Sequence, residues 1–422
     1  MQFALLSADE DAIQLATALS RMTDHRIIAA YGCAPFSDQL GKIGVPISNQ
    51  FPLDDWVRLQ HDPDCDAAIV GRAADEEARA EHLRKLVQSG LPLIVIHPVC
   101  DMLLSFELQM IQRDSGSAIV PYFPGLYDGA VNTLASLVAS GATATNGSSD
   151  KAETANGPGT LQQITIERDA KDGSRDAVRE AFARDALLAR RLVGKIGRIG
   201  ALGAMPYPSD DWRNMSIHMN AENGAIIRWT ASPVAGSGDL TVAGDKGKVV
   251  FHSDFTNGEW NSDNGSSTIQ LPATADTSAA DSHTPLINAL EEFETNPAAA
   301  NDLWEDACRA VELADTVDHS YRRGKTIELY HEEHTEEETF KSMMAAGGCL
   351  ALMLTLMIIP FFAMLESLQI PWLEGEAWHR FPLSLFYWRK WPYYLLGALT
   401  LFLTLQFLRL VFKPTPRDAT GE

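Results

Sequence analysis

The first part of the chain alternates between short, wholly apolar runs and longer segments with helical spacing of their apolar residues. The apolar runs predict strands at 2–6, 25–31, 66–71, 91–96 and 118–122, and the longer segments predict helices at 11–22, 74–89 and 101–113. Strands without a polar face must be covered on both sides. The pattern therefore predicts an α/β domain over residues 1–137, with a Rossmann-like, doubly wound parallel sheet.

The pattern changes after a tract rich in Gly, Ala, Ser, Thr and Asn, which we interpret as a flexible linker or loop over residues 138–160. Alternating strands follow at 161–168, 216–219, 225–230, 239–242 and 247–252, with helices at 175–193, 285–294 and 303–322. The tight turn Glu222-Asn223-Gly224 is typical of a β-hairpin. Residues 161–335 are therefore predicted to form an α+β domain with a mostly antiparallel sheet.

Two long uncharged runs near the C-terminus predict a transmembrane helical hairpin, with helices at 342–365 and 391–412. A bilayer core requires about 20 apolar residues in a helix, and the segment between the runs is rich in Trp and Tyr, which favour the membrane interface. The alternative is a pair of buried core helices. Residues 1–11 lack the features of a signal peptide. We therefore expect attachment to the inner (cytoplasmic) membrane, with the soluble head facing the cytoplasm.

Composition and charge exclude several classes of function. The chain has 34 Lys and Arg against 56 Asp and Glu, a formal charge of −22. This balance argues against a nucleic-acid partner, since phosphate backbones are bound chiefly by clustered cations. The five cysteines are scattered without Cys-x-x-Cys spacing, so neither a disulfide framework nor a structural zinc site is expected.

Several segments carry a resemblance to a known family. These are 66–71 with 90–98, the hairpin 240–249, and the closing helix and strand at 304–314 and 324–329. Their order and spacing resemble the glucose–fructose oxidoreductase, inositol dehydrogenase and MocA (Gfo/Idh/MocA) family. The resemblance implies hydride transfer between NAD or NADP and a sugar or polyol-like ligand. It also implies a possible homo-oligomer, formed through the open face of the second sheet.

The resemblance assigns cofactor binding to the end of the first strand and to its neighbours. The candidate cofactor-binding residues are Ser7, Ala8, Asp9, Ala12, Gly71, Arg72 and Pro98. A dinucleotide turn is normally rich in glycine, so that backbone amides approach the pyrophosphate. Here Asp9 adds both a side chain and a negative charge. The alternative is that Asp9 caps the following helix. The second strand ends in Tyr31-Gly32-Cys33, without the acidic residue that binds ribose hydroxyls.

The resemblance also implies two catalytic residues. His97, before Pro98, matches the family's acid–base lysine, and Asp185 is retained from an Asp-x-x-x-His stretch in which Phe182 takes the place of the His. Histidine carries out acid–base chemistry near neutral pH. The alternative is that His97 is a structural residue that donates to a nearby carbonyl.

A metal site is not expected, although two groups of residues raise the question. One is His97 with Cys100 and Asp101, and the other is His331 with His334 in an acidic run. We interpret the first group as structural and the second as a solvated spacer.

Two main hypotheses for function follow. The first is a membrane-anchored, NAD(P)-dependent oxidoreductase. The second is a catalytically inactive relative that acts as a membrane-tethered ligand sensor or scaffold. A third is an adaptor whose acidic head docks a basic partner. The fold alone does not distinguish them.

Overall fold

The computed structural model describes residues 1–329, apart from 23, 62–63, 73–74, 100, 145–156, 171, 204–210, 233–237, 254–259, 264, 270–283 and 294–296. Beyond 329 it describes only positions 353, 356–358, 360, 364, 393, 397 and 400. Contacts divide the chain into two compact units, Met1–Tyr330 and His331–Glu422. The fold and the candidate site concern the first unit.

The N-terminal half of this unit is built on a six-stranded sheet in the order β3-β2-β1-β4-β5-β6, and every described pair is parallel. The strands are β1 (Gln2–Leu6), β2 (Arg26–Tyr31), β3 (Gln50–Phe51), β4 (Ala67–Val70), β5 (Leu93–Ile96) and β6 (Ile119–Tyr122). The helices are α1 (Glu10–Ser20), α2 (Ser37–Lys42), α3 (Glu76–Gln88), α4 (Met102–Ser115) and α5 (Gly129–Ala144). Three 3₁₀ segments, Ala34–Phe36, Ile47–Asn49 and Leu53–His61, complete the connections. The predicted doubly wound sheet is thus confirmed.

The strand order reverses between β1 and β4, and this places a crevice outside the carboxyl ends of these two strands. Every residue of β4 and β5 is buried, as the wholly apolar runs predicted. The helices that leave the same ends of β1, β4 and β5 each begin with an aspartate cap, supplied by Asp9, Asp75 and Asp101.

The C-terminal half carries an eight-stranded sheet in the order β13-β12-β11-β7-β10-β9-β8-β14. Its strands are β7 (Leu161–Asp169), β8 (Ile196–Leu202), β9 (Ser216–Ala221), β10 (Ile226–Ser232), β11 (Gly238–Gly244), β12 (Gly247–Ser253), β13 (Trp260–Ser262) and β14 (Ile327–Glu328). Its helices are α6 (Arg175–Val193), α7 (Thr284–Phe293) and α8 (Pro297–Arg323). Among the described pairs of this sheet only β7 with β10 is parallel, so the mostly antiparallel prediction is confirmed.

Helix α8 joins the two halves. It packs against α6 and β8 on one side and against α4 and β6 on the other. The Trp304 indole donates to the carbonyl of Ser105 at 3.1 Å, and the Cys308 thiol donates to the same carbonyl at 3.2 Å. Both side chains are buried. This anchoring brings α6 and α8 beside the carboxyl ends of the first sheet.

The structure differs from the sequence prediction at a few elements. Helix α5 continues to Ala144, into the segment predicted as a linker, and residues 145–156 of that segment lie outside the described residues. Strand β8 was not predicted, because Gly197 and Gly200 lower the local strand preference. Its pairing with β9 and β14 outweighs this preference.

The two predicted membrane spans, 342–365 and 391–412, lie outside the described residues except for isolated positions. Within the part of the chain that is described, no helix has the length and apolar character needed to cross a bilayer.

Candidate functional site

The turn between β1 and α1, to which the resemblance assigns cofactor binding, is close-packed and contains no glycine. Ser7 has φ 52°, in the left-handed region that normally favours glycine. Asp9 caps α1, because its Oδ1 accepts the backbone N–H of Ala12 at 2.8 Å, so the predicted cap is confirmed. Gly71 follows β4 so closely that an added Cβ would lie 2.1 Å from the Ser7 carbonyl oxygen. Ala8, between Ser7 and Asp9, packs against the core.

Arg72 closes this turn with an ion network. Its backbone N–H and Nε donate to Asp9 Oδ2 at 3.1 and 2.8 Å, and another guanidinium nitrogen donates to Asp11 Oδ2 at 2.8 Å. The third nitrogen donates to Glu180 on α6. Arg184, also on α6, binds Asp11 at 2.6 Å and Glu180 at 3.1 Å. We call these five residues the turn network.

The side chains of the turn network are partly buried, and their opposite charges largely neutralise one another. Arg72 is 28% exposed, and Asp9 and Asp11 are each 16% exposed. Burial alone would lower the pKa of Arg72, but the neighbouring Glu180, Asp9 and Asp11 together raise it above its ordinary value. The guanidinium is therefore a permanent cation in a site that holds three carboxylates.

Buried side chains pack closely at the end of β2. Tyr31 is buried and stacks on Phe51 at a ring distance of 5.1 Å. The Cys33 thiol donates to the Tyr31 carbonyl at 3.2 Å, and burial raises the pKa of this thiol to about 11. No carboxylate stands in segment 31–33 to bind a ribose.

His97 lies at the end of β5 and is completely buried. Its Nε2 donates to the Ala183 carbonyl on α6 at 3.4 Å, and its Nδ1 has no hydrogen-bond partner in the described structure. Burial, together with the smaller effect of the positive charges of Arg184 and Arg79, lowers the pKa of His97 to about 3. The imidazole is therefore neutral at physiological pH. Its contact with a carbonyl is the one expected of a structural histidine.

Asp185 faces the second sheet. Its carboxylate forms a two-point ion pair with Arg168 of β7 and accepts the indole N–H of Trp229 of β10 at 2.7 Å. The side chain is fully buried. Phe182 lies on the same side of α6 and packs edge-on against Trp229, with the ring centroids 5.4 Å apart.

The opposite side of α6 lines a cleft of about 250 Å³. Its charged lining residues are Arg72, Glu76, Asp176, Arg179, Glu180 and Asp315. Its apolar lining residues are Pro98, Val99, Ala183, Val311 and Ala314. Residues two apart on a helix point in different directions, which is why Ala183 lines the cleft and Asp185 does not. The structure therefore brings Arg72 and Pro98 together at the cleft, while the Asp185 carboxylate and the His97 ring do not line it.

The sequence analysis did not single out Arg179, Glu180 and Arg184. Their signal is nevertheless present in α6, because charged residues recur at 176, 179, 180 and 184 with helical spacing opposite the apolar stripe. The second signal is the acidic run at 9–11, which requires counter-charges once it is partly buried.

Of the residues considered for a metal, the structure describes His97 and Asp101. Asp101 caps α4 through the N–H of Leu103 at 2.9 Å, and Cys100, His331 and His334 lie outside the described residues. Among the residues that are placed, no cluster of His, Cys, Asp or Glu has metal-binding geometry.

Solved oxidoreductases share this fold. The chain superposes on a myo-inositol dehydrogenase from Corynebacterium glutamicum with a TM-score of 0.58 and 17% identity, covering 78% of this chain and 99% of that one. It superposes on an aldose–aldose oxidoreductase from Caulobacter crescentus, complexed with glycerol, with a TM-score of 0.60 and 13% identity, covering 78% and 99%. It also superposes on an oxidoreductase from Agrobacterium radiobacter, in complex with NAD⁺, L-tartaric acid and magnesium. The TM-score is 0.56 and the identity 12%, and the match covers 78% of this chain and 98% of that one.

No protein-family model and no curated protein sequence matches the chain. At these identities the structural likeness establishes the fold, which is the fold that the sequence resemblance implied.

Replacing Asp185 by Ala is expected to destabilise the chain by about 3–5 kcal/mol, since it removes the fully buried carboxylate that binds Arg168 and the indole N–H of Trp229. The free energy of unfolding in urea measures this loss. Glu107→Ala is the matched control, because it breaks the half-exposed ion pair with Arg84, and exposed pairs contribute little. Equal effects of the two substitutions would contradict a structural role for Asp185.

The His97 imidazole is expected to remain neutral from pH 8 to pH 5. Its folded pKa lies below the unfolded value of about 6.5. The stabilisation from its neutral form is therefore present above pH 6.5 and is lost as the pH falls towards 3. An NMR titration of the histidine side chains, assigned with a His97→Gln variant, tests this. A midpoint between pH 6 and 7 in the folded chain would instead mark His97 as available for acid–base chemistry.

Proposed function

We propose that the described head is a ligand-binding protein built on an oxidoreductase fold and that it does not transfer hydride. The observation that carries the proposal is the turn network, in which Arg72 is held by Asp9, Asp11 and Glu180 over the start of α1. In this fold class a pyrophosphate approaches the backbone at that turn.

A dinucleotide in the usual position would face the three carboxylates of the turn network. Two like unit charges 4 Å apart repel by about 4 kcal/mol at an effective dielectric of 20. The bound cofactor would also have to separate Arg72 from partners that it already binds at 2.8 Å. The three carboxylates outnumber the two guanidinium groups of the turn network, and the remaining negative charge opposes a pyrophosphate.

The neighbouring chemistry is consistent with this proposal. Hydride transfer to a carbinol carbon requires a group that exchanges a proton near neutral pH. His97 is buried, neutral and outside the cleft lining, and Asp185 is committed to Arg168 and Trp229. We retain both as candidate catalytic residues only for the second function below.

The cleft suits a small, hydroxyl-rich ligand. The carboxylates and guanidinium groups of its lining supply hydrogen-bond acceptors and donors, and the apolar lining residues suit the C–H face of a sugar ring. Two structural neighbours are complexed with glycerol and with L-tartaric acid, and this supports a small, hydroxyl-rich ligand for the cleft.

A second candidate function is NAD(P)-dependent oxidation of a sugar or polyol-like substrate. The shared fold favours it, as does the presence of two guanidinium groups, those of Arg72 and Arg184, beside the turn. In that function Ser7, Ala8, Asp9, Ala12, Gly71, Arg72 and Pro98 would surround the cofactor, and Arg72 would exchange carboxylate partners for phosphate oxygens.

We also propose that residues 342–365 and 391–412 attach the head to the inner membrane, with the head on the cytoplasmic side. The length and uncharged character of the two runs support the attachment. A tethered head that binds a small ligand is a sensor or scaffold at the membrane surface.

NAD and NADP at millimolar concentration are expected to leave the melting temperature of the full chain unchanged. A ligand present at about 100 times its dissociation constant would add roughly 2.7 kcal/mol, which is readily detected. Arg72→Ala is expected to lower the melting temperature, because three carboxylates lose their shared cation. Arg198→Ala, which breaks an exposed pair with Glu328, is the control and should change it little. A saturable stabilisation by either dinucleotide, with turnover of a polyol, would establish the second function instead.

The full chain is expected to remain in the membrane pellet after alkaline carbonate extraction, while a chain ending at residue 335 is released. In intact spheroplasts an external protease should leave the head uncut and cleave it only after the membrane is permeabilised. Release of the full chain would contradict the proposed anchor, and digestion in intact spheroplasts would reverse its orientation.

A further inference from the structure

His252 of β12 lies between two aspartates of the second sheet. Its Nδ1 is 2.6 Å from Asp239 Oδ1 on β11, and its Nε2 is 3.2 Å from Asp263 Oδ2, directly after β13. A neutral imidazole has only one N–H, so one of the two carboxylates would then face a nitrogen lone pair. The imidazolium, in contrast, donates to both carboxylates at once. We call these three residues the histidine clasp.

Other charged groups on this face of the sheet lie further from His252. Glu167 of β7 is exposed and lies beyond Asp239, its partner in strand register. On β12 itself, Lys248 is on the same face, four positions away. The β13 residue opposite His252 is the uncharged Asn261. The hydrogen bonds to the two aspartates therefore dominate, and they raise the pKa of His252 above its ordinary value of about 6.5.

The histidine clasp fastens a segment that covers one edge of β12. Strand β13 pairs with β12 over only three residues. Next to it, residues 263 and 265–269, which we call the edge segment, cover the same edge. The Lys248 N–H donates to Thr268 Oγ1 at 2.7 Å, and the Val250 N–H donates to Ser267 Oγ at 2.9 Å. These two amides of β12 are thus satisfied by side chains of the edge segment.

The attachment of the edge segment depends on a small number of exposed contacts. The side chains of His252 and Asp263 are 41% and 28% exposed. Exposed ion pairs and single hydrogen bonds each contribute little to stability. The loss of one such contact therefore changes how often the segment opens locally, while the core of the sheet stays closed.

We propose that the histidine clasp is a pH-dependent fastening, which holds the edge segment on β12 when His252 is protonated and releases it when the imidazole is neutral. Release leaves the N–H groups of Lys248 and Val250 without their hydroxyl acceptors. An uncovered strand edge of this kind can pair with another chain. The proposal goes beyond the function of the cleft and is independent of it.

The direction of the pH dependence follows from the charge that the clasp requires. The folded protein binds the His252 proton more tightly than the unfolded chain does. The stabilisation is therefore complete below pH 6.5, the unfolded value, and is lost as the pH rises through the higher pKa of the folded state. The edge segment is expected to be attached in mild acid and to open in mild alkali.

Hydrogen exchange of the full chain between pH 6 and pH 9, corrected for the intrinsic exchange rate at each pH, tests the fastening. The amides of Lys248 and Val250 are expected to lose protection as the pH rises. The amides of Val249 and Phe251 are internal controls and should keep their protection. They point towards β11, because successive amides of a strand alternate in direction. An NMR titration of the His252 ring should have its midpoint where the protection is lost.

Three variants separate the clasp from a general effect of pH. His252→Gln should leave Lys248 and Val250 weakly protected at every pH, because an uncharged side chain cannot bind both aspartates as an imidazolium does. His252→Arg keeps a permanent cation and should preserve the protection at pH 9. His218→Gln is the matched control, since His218 is an exposed histidine of β9 that faces the Ser216 hydroxyl at 3.4 Å rather than a carboxylate.

Two results would overturn the proposal. One is protection of the Lys248 and Val250 amides that does not change with pH in the parent chain. The other is a His252→Gln variant that keeps the pH dependence of the parent. A loss of protection in Val249 and Phe251 at the same pH would also contradict it, because the whole sheet would then be opening. A melting curve of each variant at pH 6 confirms that the fold is intact.

Discussion

The contact of Arg72 with three carboxylates is the interaction on which the organisation of the site depends. Asp9 caps α1 and Asp11 lies in its first turn, whereas Glu180 belongs to α6, more than 160 residues further along the chain. Without a cation between them these groups would repel in a partly buried location. Arg72 therefore neutralises the turn and at the same time links the two halves of the head.

This link determines the environment of the neighbouring groups. It holds α6 against the carboxyl ends of β4 and β5, and so the Ala183 carbonyl covers His97. Arg184, the second cation of the turn network, lies near enough to lower the pKa of that imidazole. The closed turn and the buried histidine thus both depend on the position of α6, and burial is the main reason that the imidazole is neutral. A cofactor that opened the first would alter the second.

Local and long-range features differed in how well the sequence revealed them. The strands of the first sheet and the Asp9 cap were predictable, because burial on both faces and capping leave a signal within a few residues. The turn network was not predictable. Arg72 follows β4 and Glu180 lies on α6, and the local sequence around each residue does not indicate that the two are in contact. For α6, the spacing of apolar residues located the helix and its bounds. It did not decide that Asp185 faces Arg168 and the sheet while Glu180 faces the cleft.

The fold persists here because its determinants are separate from the residues of the site. The sheet is specified by fully buried strands such as β4 and β5 and by the anchoring of α8 through Trp304. The turn after β1 must only reverse the chain and start a helix, and Ser7 with a left-handed φ and Asp9 as the cap achieve this without glycine. A carboxylate placed there then requires a counter-ion, which Arg72 supplies from the end of β4. In our proposal an internal ion pair closes, in this sequence, a turn that approaches a phosphate in dinucleotide-binding folds, and the function has to be inferred from those side chains.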